Sequence, residues 1–301
     1  MRILITDGMD KAAMAQLREL GHEVVEQFYE PDQLGAALRD FDAVVVRSKT
    51  KVRANHIDEA KTGKLKLIIR GGVGVDNIDV KYAESCGITV KNTPRASSQS
   101  VAELAMGHMF SCARYLSIAG HTMREDKWEK KAYGKGIELQ GKTLGIVGFG
   151  RIGQHLGVMA KAIGMKVVAF DIFHIPGIEE QLGIPYVEMD DLLAQADFVS
   201  VHAPAVDGGA LISAENIAKM KDGVVIINTS RGTNVDEAAL LAALESGKVR
   251  AAGLDVYADE PATNKALYSH PMVSCTPHIG AATVEAQKRI GTEIVDIIRS
   301  F

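Results

Sequence analysis

The sequence predicts a two-domain α/β protein in which both domains are built on parallel sheets. The chain has 301 residues, of which 47% are hydrophobic and 24% charged, and this is enough for two ordinary cores. A glycine-rich turn lies in mid-chain at residues 148–153, between an apolar strand and a helix-compatible stretch. About 145 residues precede it with their own alternation of apolar runs and amphipathic stretches. We therefore expect a separate sheet ahead of the domain that carries the turn.

The first segment contains five short apolar runs, which are RILIT, HEVVE, DAVVV, KLKLIIR and GITV. Their length predicts strands, and the stretches between them predict crossover helices. A long helical pattern follows from Ser97 to about Met123, with serines suited to capping its start. Because this pattern is apolar on more than one face, we expect the helix to be buried.

The mid-chain turn, GFGRIG, matches a dinucleotide-binding fingerprint in the required strand–turn–helix context. Gly148 permits the tight turn, Gly150 lets the backbone approach a pyrophosphate, and Gly153 lets the helix pack on the strand. The next apolar run ends in Asp171, eighteen residues after Gly153. A carboxylate there suits the ribose hydroxyls and repels a 2′-phosphate, so the pattern favours NAD over NADP. The alternative is a glycine-rich turn in another kind of α/β protein.

After Asp171 the strand pattern continues as DFVSV, GVVIIN, VRAAGLDV and MVSCT. The helices predicted between these strands cover residues 190–195, 214–220 and 237–246. A last helix is expected at 280–301, and we infer that it returns to the first domain. The resulting prediction is two Rossmann-like domains, with an outer domain of residues 1–95 plus 276–301 split around an inserted NAD-binding domain of residues 96–275.

The composition disfavours several classes of function. A net charge of −4 gives no general attraction to nucleic acid or to anionic membranes. Three widely spaced cysteines without a CxxC pair fit a reducing compartment and predict neither a disulfide framework nor a zinc site. The N-terminal MRILITDG is typical of a first strand rather than a signal peptide, and no apolar run approaches the length of a membrane span. We expect a cytoplasmic α/β protein without a bound metal.

Four polar residues follow strands of the second half, namely His202, Arg231, Asp255 and His278, and Glu260 lies five residues beyond Asp255. Ligands of open parallel sheets bind at the carboxyl ends of the strands. Hydride transfer at a hydroxyl carbon needs an acid/base, such as an imidazole, and a cation for the substrate carboxylate, such as a guanidinium. A nearby carboxylate would stabilise the imidazolium. Taken singly, three of these residues have a structural alternative: an ion pair at a helix terminus for Arg231, a satisfied structural histidine for His278, and a solvated loop acid for Glu260.

The segments GFGRIG, NTSRG, GLDVYADEP and TPHIGAAT, in this order and spacing, resemble the D-isomer-specific 2-hydroxyacid dehydrogenases. RSKT, IIRGGVGVDNID, VKNTP and SVAELAMG extend the resemblance over essentially the whole chain. RSKT and IIRGGVGVDNID are most similar to the branch of this family that oxidises D-3-phosphoglycerate. The resemblance implies NAD-dependent conversion between a D-2-hydroxy acid and a 2-keto acid, with 3-phosphoglycerate and 3-phosphohydroxypyruvate of serine biosynthesis as the expected pair.

Two alternatives to this substrate prediction stay open. Hydroxypyruvate, glyoxylate or another 2-keto acid would use the same chemistry, and an NAD-sensing corepressor-like protein would use the same fold without catalysis. The chain stops at Phe301 without the C-terminal regulatory domain that many relatives carry. Feedback by serine through such a domain is therefore not expected.

Carried over residue by residue, the resemblance assigns Arg231 to the carboxylate and carbonyl of the substrate. It assigns His278 as the acid/base, with Glu260 as its carboxylate partner. His202, the rival imidazole, becomes a cofactor-lining residue. The other cofactor-binding residues implied, beside the three glycines and Asp171, are Arg151, Ile152, Ala203, Pro204, Thr229, Ser230, Asp255 on the nicotinamide side, and Gly280.

The resemblance also implies substrate-binding residues in the first domain. Arg47 directly follows the run DAVVV and Arg70 ends the run KLKLIIR, so both are expected to face the interdomain cleft. Two extra cations suit a substrate with a second anionic group, such as a phosphate. The alternative for Arg47 is a solvated basic loop. The remaining substrate-binding residues predicted are Ser48 and the turn residues Gly71, Gly72 and Val73, whose backbone N–H groups would receive the substrate carboxylate.

The helical pattern at Ser97–Met123, followed by the lone Trp128 in a charged stretch, predicts a homodimer formed through the NAD-binding domain. The family resemblance implies the same assembly. The alternative is that this helix is simply buried within one subunit.

Overall fold

The computed structural model describes residues 1–206 and 208–301, and these form two compact units. Unit 1 contains Met1–Ser98 and Ala281–Phe301, and unit 2 contains Gln99–Gly280. The boundaries predicted from the sequence, at residues 95/96 and 275/276, lie a few residues from these. The turn that precedes Ala281 belongs to unit 2 because its backbone is hydrogen-bonded to Asp255.

Unit 1 is an all-parallel sheet with hydrophobic cores on both faces. The alternation of side chains along each strand divides them between the cores, so that Ile3 and Ile5 point to one face and Leu4 to the other. The strands are β1 (Arg2–Ile5), β2 (Glu23–Glu26), β3 (Ala43–Val46), β4 (Leu67–Arg70) and β5 (Thr89–Asn92), in the order β2-β1-β3-β4-β5.

Four helices of unit 1 form the crossover connections between these strands. Asp10 caps the first of them, since its carboxylate accepts a hydrogen bond from the N–H of Ala13 at 3.0 Å. Leu34 and Leu38 lie on the buried side of the second helix. The helices are α1 (Lys11–Glu19), α2 (Pro31–Leu38), α3 (Ala54–Ala60) and α4 (Val80–Ser85).

Unit 2 is a six-stranded, all-parallel sheet. Its central strands are continuous apolar runs because helices cover both faces, and every residue of Val224–Asn228 is buried. The strands are β6 (Thr143–Val147), β7 (Lys166–Phe170), β8 (Phe198–Val201), β9 (Val224–Asn228), β10 (Val249–Leu254) and β11 (Val273–Cys275), in the order β11-β10-β9-β8-β6-β7. The two-sheet α/β fold predicted from the sequence is confirmed.

The single long helix predicted at residues 97–123 is wrong, because Tyr115 interrupts it with a left-handed backbone at φ 58°. A non-glycine residue in that conformation cannot continue an α-helix. The helices of unit 2 are α5 (Ser98–Arg114), α6 (Leu116–Arg124), α7 (Arg151–Ala162), α8 (Ile178–Leu182), α9 (Met189–Gln195), α10 (Ala214–Lys219), α11 (Glu237–Ser246) and α12 (Lys265–Tyr268).

The last helix, α13 (Val284–Ser300), starts later than the predicted residue 280. Thr283 caps it, because its hydroxyl accepts a hydrogen bond from the N–H of Ala286 at 3.0 Å. Its buried side chains include Ile290 and Ile294, which pack in the same core as α1 and one face of the unit 1 sheet. Among the described residues no helix is both long and apolar enough to cross a membrane.

Candidate active site

The strand order of unit 2 brings residues from distant parts of the sequence to one edge of the sheet. All six strands are parallel, so their carboxyl ends share that edge. Following the strands in the order β11, β10, β9, β8, β6 and β7, the residues just beyond them are His278, Asp255, Arg231, His202, the turn 148–153 and Asp171.

His278 and Glu260 form a hydrogen-bonded pair. The Nδ1 atom of His278 lies 2.7 Å from Oε2 of Glu260, and both side chains are partly exposed. Burial opposes ionisation of Glu260, but the hydrogen bond and charge of His278, the N–H of Tyr257 and the charge of Arg231 together outweigh it and lower the pKa of Glu260. An ionised Glu260 accepts a hydrogen bond from Nδ1–H of His278, which leaves Nε2 as the ring atom available for proton transfer.

The backbone around His278 is constrained by Asp255. His278 has φ 54°, which is uncommon for a residue other than glycine. Its N–H donates to the carbonyl of Asp255 at 2.8 Å. The buried Asp255 carboxylate accepts from the N–H groups of Ile279 and Gly280, each at 2.8 Å, and from the hydroxyl of Thr276 at 2.6 Å. Asp255, predicted as a nicotinamide contact, therefore also holds the turn that presents His278.

The loop that carries Arg231 is organised by two buried asparagines. The side chain of Asn228 accepts hydrogen bonds from the N–H and hydroxyl of Ser230 and donates to the carbonyl of Arg231 at 2.8 Å. Asn234 donates to the carbonyls of Ala203 and Pro204 at 2.9 and 3.2 Å. These bonds tie the loops after β8 and β9 together.

Gly232 brings the Arg231 loop against the Glu260 loop. A Cβ atom at Gly232 would overlap the backbone of Tyr257 and Ala258. Only glycine allows this approach, and it accounts for the electrostatic effect of Arg231 on Glu260. Within unit 2 the three residues predicted to be catalytic are thus on adjacent, tightly packed loops.

The glycine-rich turn has the shape that a dinucleotide requires. Gly148 has φ 92°, and a Cβ atom there would lie 2.6 Å from the backbone nitrogen of Ala203. A Cβ atom at Gly153 would lie 2.5 Å from the carbonyl oxygen of Gly148, so α7 rests directly on the turn. At Gly150, by contrast, a Cβ atom would meet no described atom within 4 Å. This open position is where a pyrophosphate can approach the N-terminus of α7.

Asp171 lies beside this turn, at the end of β7. Its carboxylate accepts hydrogen bonds from the N–H groups of Phe149 at 2.7 Å and Phe173 at 3.0 Å. Each oxygen keeps a second acceptor position, which suits ribose hydroxyls. Arg151, the first residue of α7, is exposed, and Ile152 packs against the core of unit 2.

The loops between the turn and Arg231 contain polar atoms that are buried without a hydrogen-bond partner among the described residues, namely Nδ1 of His202 and the hydroxyl of Thr229. The other ring nitrogen of His202 is 2.8 Å from the hydroxyl of Ser200. Burial lowers the pKa of His202 to about 3, so this imidazole stays neutral near pH 7. Unsatisfied polar groups beside an open glycine turn fit the binding of a polar cofactor.

Unit 1 places Arg47 and Ser48 beyond β3, beside an open depression of about 410 Å³ lined by Thr6, Asp7, Arg47, Ser48 and Lys49. The backbone N–H of Arg47 donates to Asp7 at 2.8 Å. Within the described parts of the chain, the guanidinium of Arg47 makes no hydrogen bond or ion pair with a protein group. Ser48 is exposed.

The turn after β4 offers fewer donors than the sequence suggests. The N–H of Gly71 donates to Val46 at 2.8 Å, and the N–H of Gly72 donates to Arg70 at 2.9 Å. The guanidinium of Arg70 folds back over this turn, donates to the carbonyl of Gly71 at 3.3 Å and leaves no room for a Cβ atom at Gly72. The exposed Val73 is therefore a better candidate than the two glycines for a backbone donor to an anion.

Sequence reasoning missed several residues that shape the site. Asn234 and the buried His108 lie outside the segments that carry the resemblance, and Thr276 begins TPHIGAAT but was assigned no role. Asn228 could have been recognised as a site residue, because it is an amide at the end of an otherwise apolar strand and begins NTSRG. In the described parts of the chain, no cluster of three or more His, Cys, Asp or Glu residues is arranged to hold a metal ion.

Comparison with known proteins identifies the family to which the chain is similar. The family model described as D-isomer specific 2-hydroxyacid dehydrogenase, NAD binding domain, matches residues 106–280, which is more than half of the chain. The chain is 48% identical over 303 residues to a hydroxypyruvate reductase of Thermotoga maritima, covering 99% of this chain and 97% of that protein. It is 43% identical over 294 residues to a D-3-phosphoglycerate dehydrogenase of Mycobacterium bovis, covering 96% of this chain but only 55% of that protein.

Solved structures agree with the sequence comparison. A D-lactate dehydrogenase from Aquifex aeolicus, complexed with NAD and lactic acid, matches with a TM-score of 0.86 at 29% identity, covering 99% of this chain and 95% of that one. The glycine turn, the acid after β7 and the row of polar residues along the sheet edge accord with these likenesses. The chain belongs to the D-isomer-specific 2-hydroxyacid dehydrogenases and is an NAD-dependent oxidoreductase.

Proposed function

We propose that the protein interconverts D-3-phosphoglycerate and 3-phosphohydroxypyruvate with NAD(H). Arg47 is the residue that favours a phosphorylated substrate. Arg47 is a half-buried residue next to an open depression, and its backbone is anchored by Asp7. Its guanidinium has no protein partner in the described chain. A cation held in place without a counter-ion is suited to an anionic group of the substrate, and the substrate carboxylate is already assigned to Arg231. A phosphate on C3 would supply the second anion.

The proposed chemistry rests on His278, Glu260 and Arg231. In the direction of reduction, protonated His278 donates its Nε2 proton to the carbonyl oxygen of the keto acid. Before this proton is transferred, Glu260 stabilises the imidazolium through its hydrogen bond of 2.7 Å with Nδ1. Arg231 binds the carboxylate and stabilises the charge that develops on the oxygen. In the direction of oxidation, neutral His278 takes the hydroxyl proton.

The cofactor, when bound, supplies or accepts the hydride at the substrate carbon. The chain holds it through the turn Gly148–Gly153 and through Asp171, whose carboxylate favours the free ribose hydroxyls of NAD. The unpaired polar atoms of His202 and Thr229 support a role in lining the same site. The Asp255 side chain and the backbone of Gly280 are proposed for the nicotinamide end.

Hydroxypyruvate is the second candidate substrate, and it differs from the first only by the phosphate. The similarity to the Thermotoga maritima hydroxypyruvate reductase favours it, because the match covers nearly the full length of both chains. The phosphoglycerate dehydrogenases are matched over about half of their length. If hydroxypyruvate is the substrate, Arg47 is a solvated cation.

Reduction of the two keto acids with NADH separates these candidates. Loss of one charge-assisted contact costs about 1.5–3 kcal/mol, so Arg47→Ala should raise KM for 3-phosphohydroxypyruvate about 10- to 150-fold and leave KM for hydroxypyruvate nearly unchanged. Lys51→Ala removes the same charge from a nearby exposed position that does not line the depression, and should change neither KM. If the wild type prefers hydroxypyruvate and Arg47→Ala changes neither KM, 3-phosphohydroxypyruvate is refuted as the substrate and hydroxypyruvate takes its place.

We also propose that the protein is a cytoplasmic homodimer. The support is a group of exposed apolar side chains on and after α6: Leu116 is 58% exposed, Met123 53% and Trp128 78%. Large apolar groups clustered on a surface mark an interaction site. Light scattering at micromolar concentration should give twice the chain mass of 32.3 kDa, and a mass equal to one chain would refute the dimer.

A further inference from the structure

His108 is a buried titratable residue of unit 2 that the proposed chemistry does not use. It lies in the middle of α5 and is 3% exposed. Its ring packs against β10 at Gly253, where a Cβ atom would come within 2.6 Å of Cβ and 3.0 Å of Cγ of the histidine. The absence of a side chain at Gly253 therefore leaves room for His108 against the strand.

The imidazole links two side chains at the end of β11. Nδ1 of His108 is 3.0 Å from the hydroxyl of Ser274, and Nε2 is 3.1 Å from the hydroxyl of Thr276. Thr276 in turn lies 2.6 Å from Oδ1 of Asp255. These contacts form a continuous chain from α5 to the carboxylate that holds the turn containing His278.

The direction of each hydrogen bond follows from the number of protons available. The Thr276 hydroxyl donates to the Asp255 carboxylate, which also accepts from the N–H groups of Ile279 and Gly280. Thr276 has no further proton and must accept from the Nε2–H of His108. Burial lowers the pKa of His108, while the charge of Asp255 partly opposes this. A neutral ring protonated on Nε2 has an acceptor at Nδ1, which accepts a hydrogen bond from the hydroxyl of Ser274.

We infer that His108 is a positioning residue for the reaction, acting through Thr276 and Asp255 on the turn that presents His278. The turn needs such support because His278 has a left-handed backbone, and the N–H groups of His278, Ile279 and Gly280 all donate to Asp255. His108 fixes the rotamer of Thr276, and Thr276 fixes Oδ1 of Asp255, which also accepts the N–H of Ile279. The inference rests on the proposed acid/base role of His278.

The test compares His108→Leu, which removes both hydrogen bonds, with His108→Gln, which keeps an N–H donor for Thr276. A small misplacement of a reacting group costs up to about 100-fold in rate, so His108→Leu should lower kcat about 10-fold or more while KM for the keto acid changes little. The alkaline limb of the pH profile for reduction should move to lower pH, because the ring of His278 loses its alignment with Glu260. His108→Gln should recover most of kcat.

Hydrogen exchange provides a readout that does not depend on turnover. In His108→Leu the amides of Ile279 and Gly280 should exchange faster than in the wild type. Met109→Ala is the matched control, since Met109 is the next buried residue on α5 and belongs to the hydrophobic core of unit 2. It should lower Tm without changing the pH profile or the exchange of these two amides.

Each outcome has a defined meaning. Unchanged kcat, pH profile and amide exchange in His108→Leu would overturn the inference, as would a loss of activity that Met109→Ala reproduces in proportion to Tm. If His108→Leu does not fold, Thr276→Val breaks the same chain with an isosteric side chain and should give the same pattern. Faster exchange in His108→Leu together with full activity of His278→Ala would instead refute the proposed role of His278 and leave the structural link intact.

Discussion

Replacement of Gly150 by alanine should separate cofactor binding from folding. Gly150 has extended backbone angles of φ −73° and ψ −162°, which alanine can adopt. Its added Cβ atom would meet no described atom within 4 Å. We therefore expect Gly150→Ala to fold with wild-type stability, or slightly above it, because alanine reduces the entropy of the unfolded chain.

The same methyl group would stand where we propose that the pyrophosphate approaches the first turn of α7. One lost hydrogen bond to a charged group costs about 1.5–3 kcal/mol, which corresponds to a Kd for NADH about 10- to 150-fold higher. Titration by NADH fluorescence measures this Kd directly, and thermal unfolding without cofactor measures stability. A Gly150→Ala protein that binds NADH as tightly as the wild type would refute the placement of the pyrophosphate at this turn.

Gly153→Ala is the matched control, because it adds the same methyl group one helical turn away. Here the new Cβ atom would lie 2.5 Å from the carbonyl oxygen of Gly148 and 3.0 Å from Cγ2 of Ile146. Overpacking of this kind costs about 1–3 kcal/mol, so Tm should fall by several degrees. An unchanged Tm would show that α7 does not rest on the turn as described.

Three further predictions concern the titratable groups. His278→Ala should lower kcat about 10²- to 10⁴-fold with nearly unchanged NADH affinity, and a normal rate would exclude His278 as the acid/base. Glu260→Gln should lower kcat by a smaller factor and move the alkaline limb of the kcat/KM profile for reduction to lower pH. Unfolded histidine takes up a proton below about pH 6.5, whereas buried His202 stays neutral down to about pH 3, so the wild type should lose stability across that window relative to His202→Gln. Urea unfolding at several pH values measures the difference, and parallel curves would contradict it. Asp171→Ala should weaken the binding of NADH more than that of NADPH and bring the kcat/KM values for the two cofactors closer together. Equal kcat/KM values for both cofactors in the wild type would contradict the role of Asp171.

The break at Tyr115 shows a limit of periodicity in this chain. Residues 97–123 have a helical pattern throughout, and the residues on both sides of the break are helical. The left-handed conformation of Tyr115 depends on contacts far along the chain, since its hydroxyl donates to the carbonyl of Lys135 at 3.2 Å and accepts from Arg250 at 2.8 Å. Such contacts leave no local signal.

The sequence by itself determined the class of fold and the residue types of the site. Strand and helix periods are local, and the glycine turn with Asp171 is complete within 24 residues of sequence from Gly148 to Asp171. His202, Arg231, Asp255 and His278 could be found because each follows an apolar run directly or within a few residues. Parallel topology makes the carboxyl end of every strand a candidate position without any knowledge of strand order.

Only the tertiary structure decided which of these residues act together and what holds them. The order β11-β10-β9-β8 makes His278, Asp255 and Arg231 neighbours across the sheet. Gly232 sets the approach of two loops, and His108 reaches Thr276 across 168 positions of sequence. Each of these contacts depends on the packing of side chains from separate elements. A pattern read along one strand cannot contain that information, because hydrogen bonds and close packing are decided by distances in space.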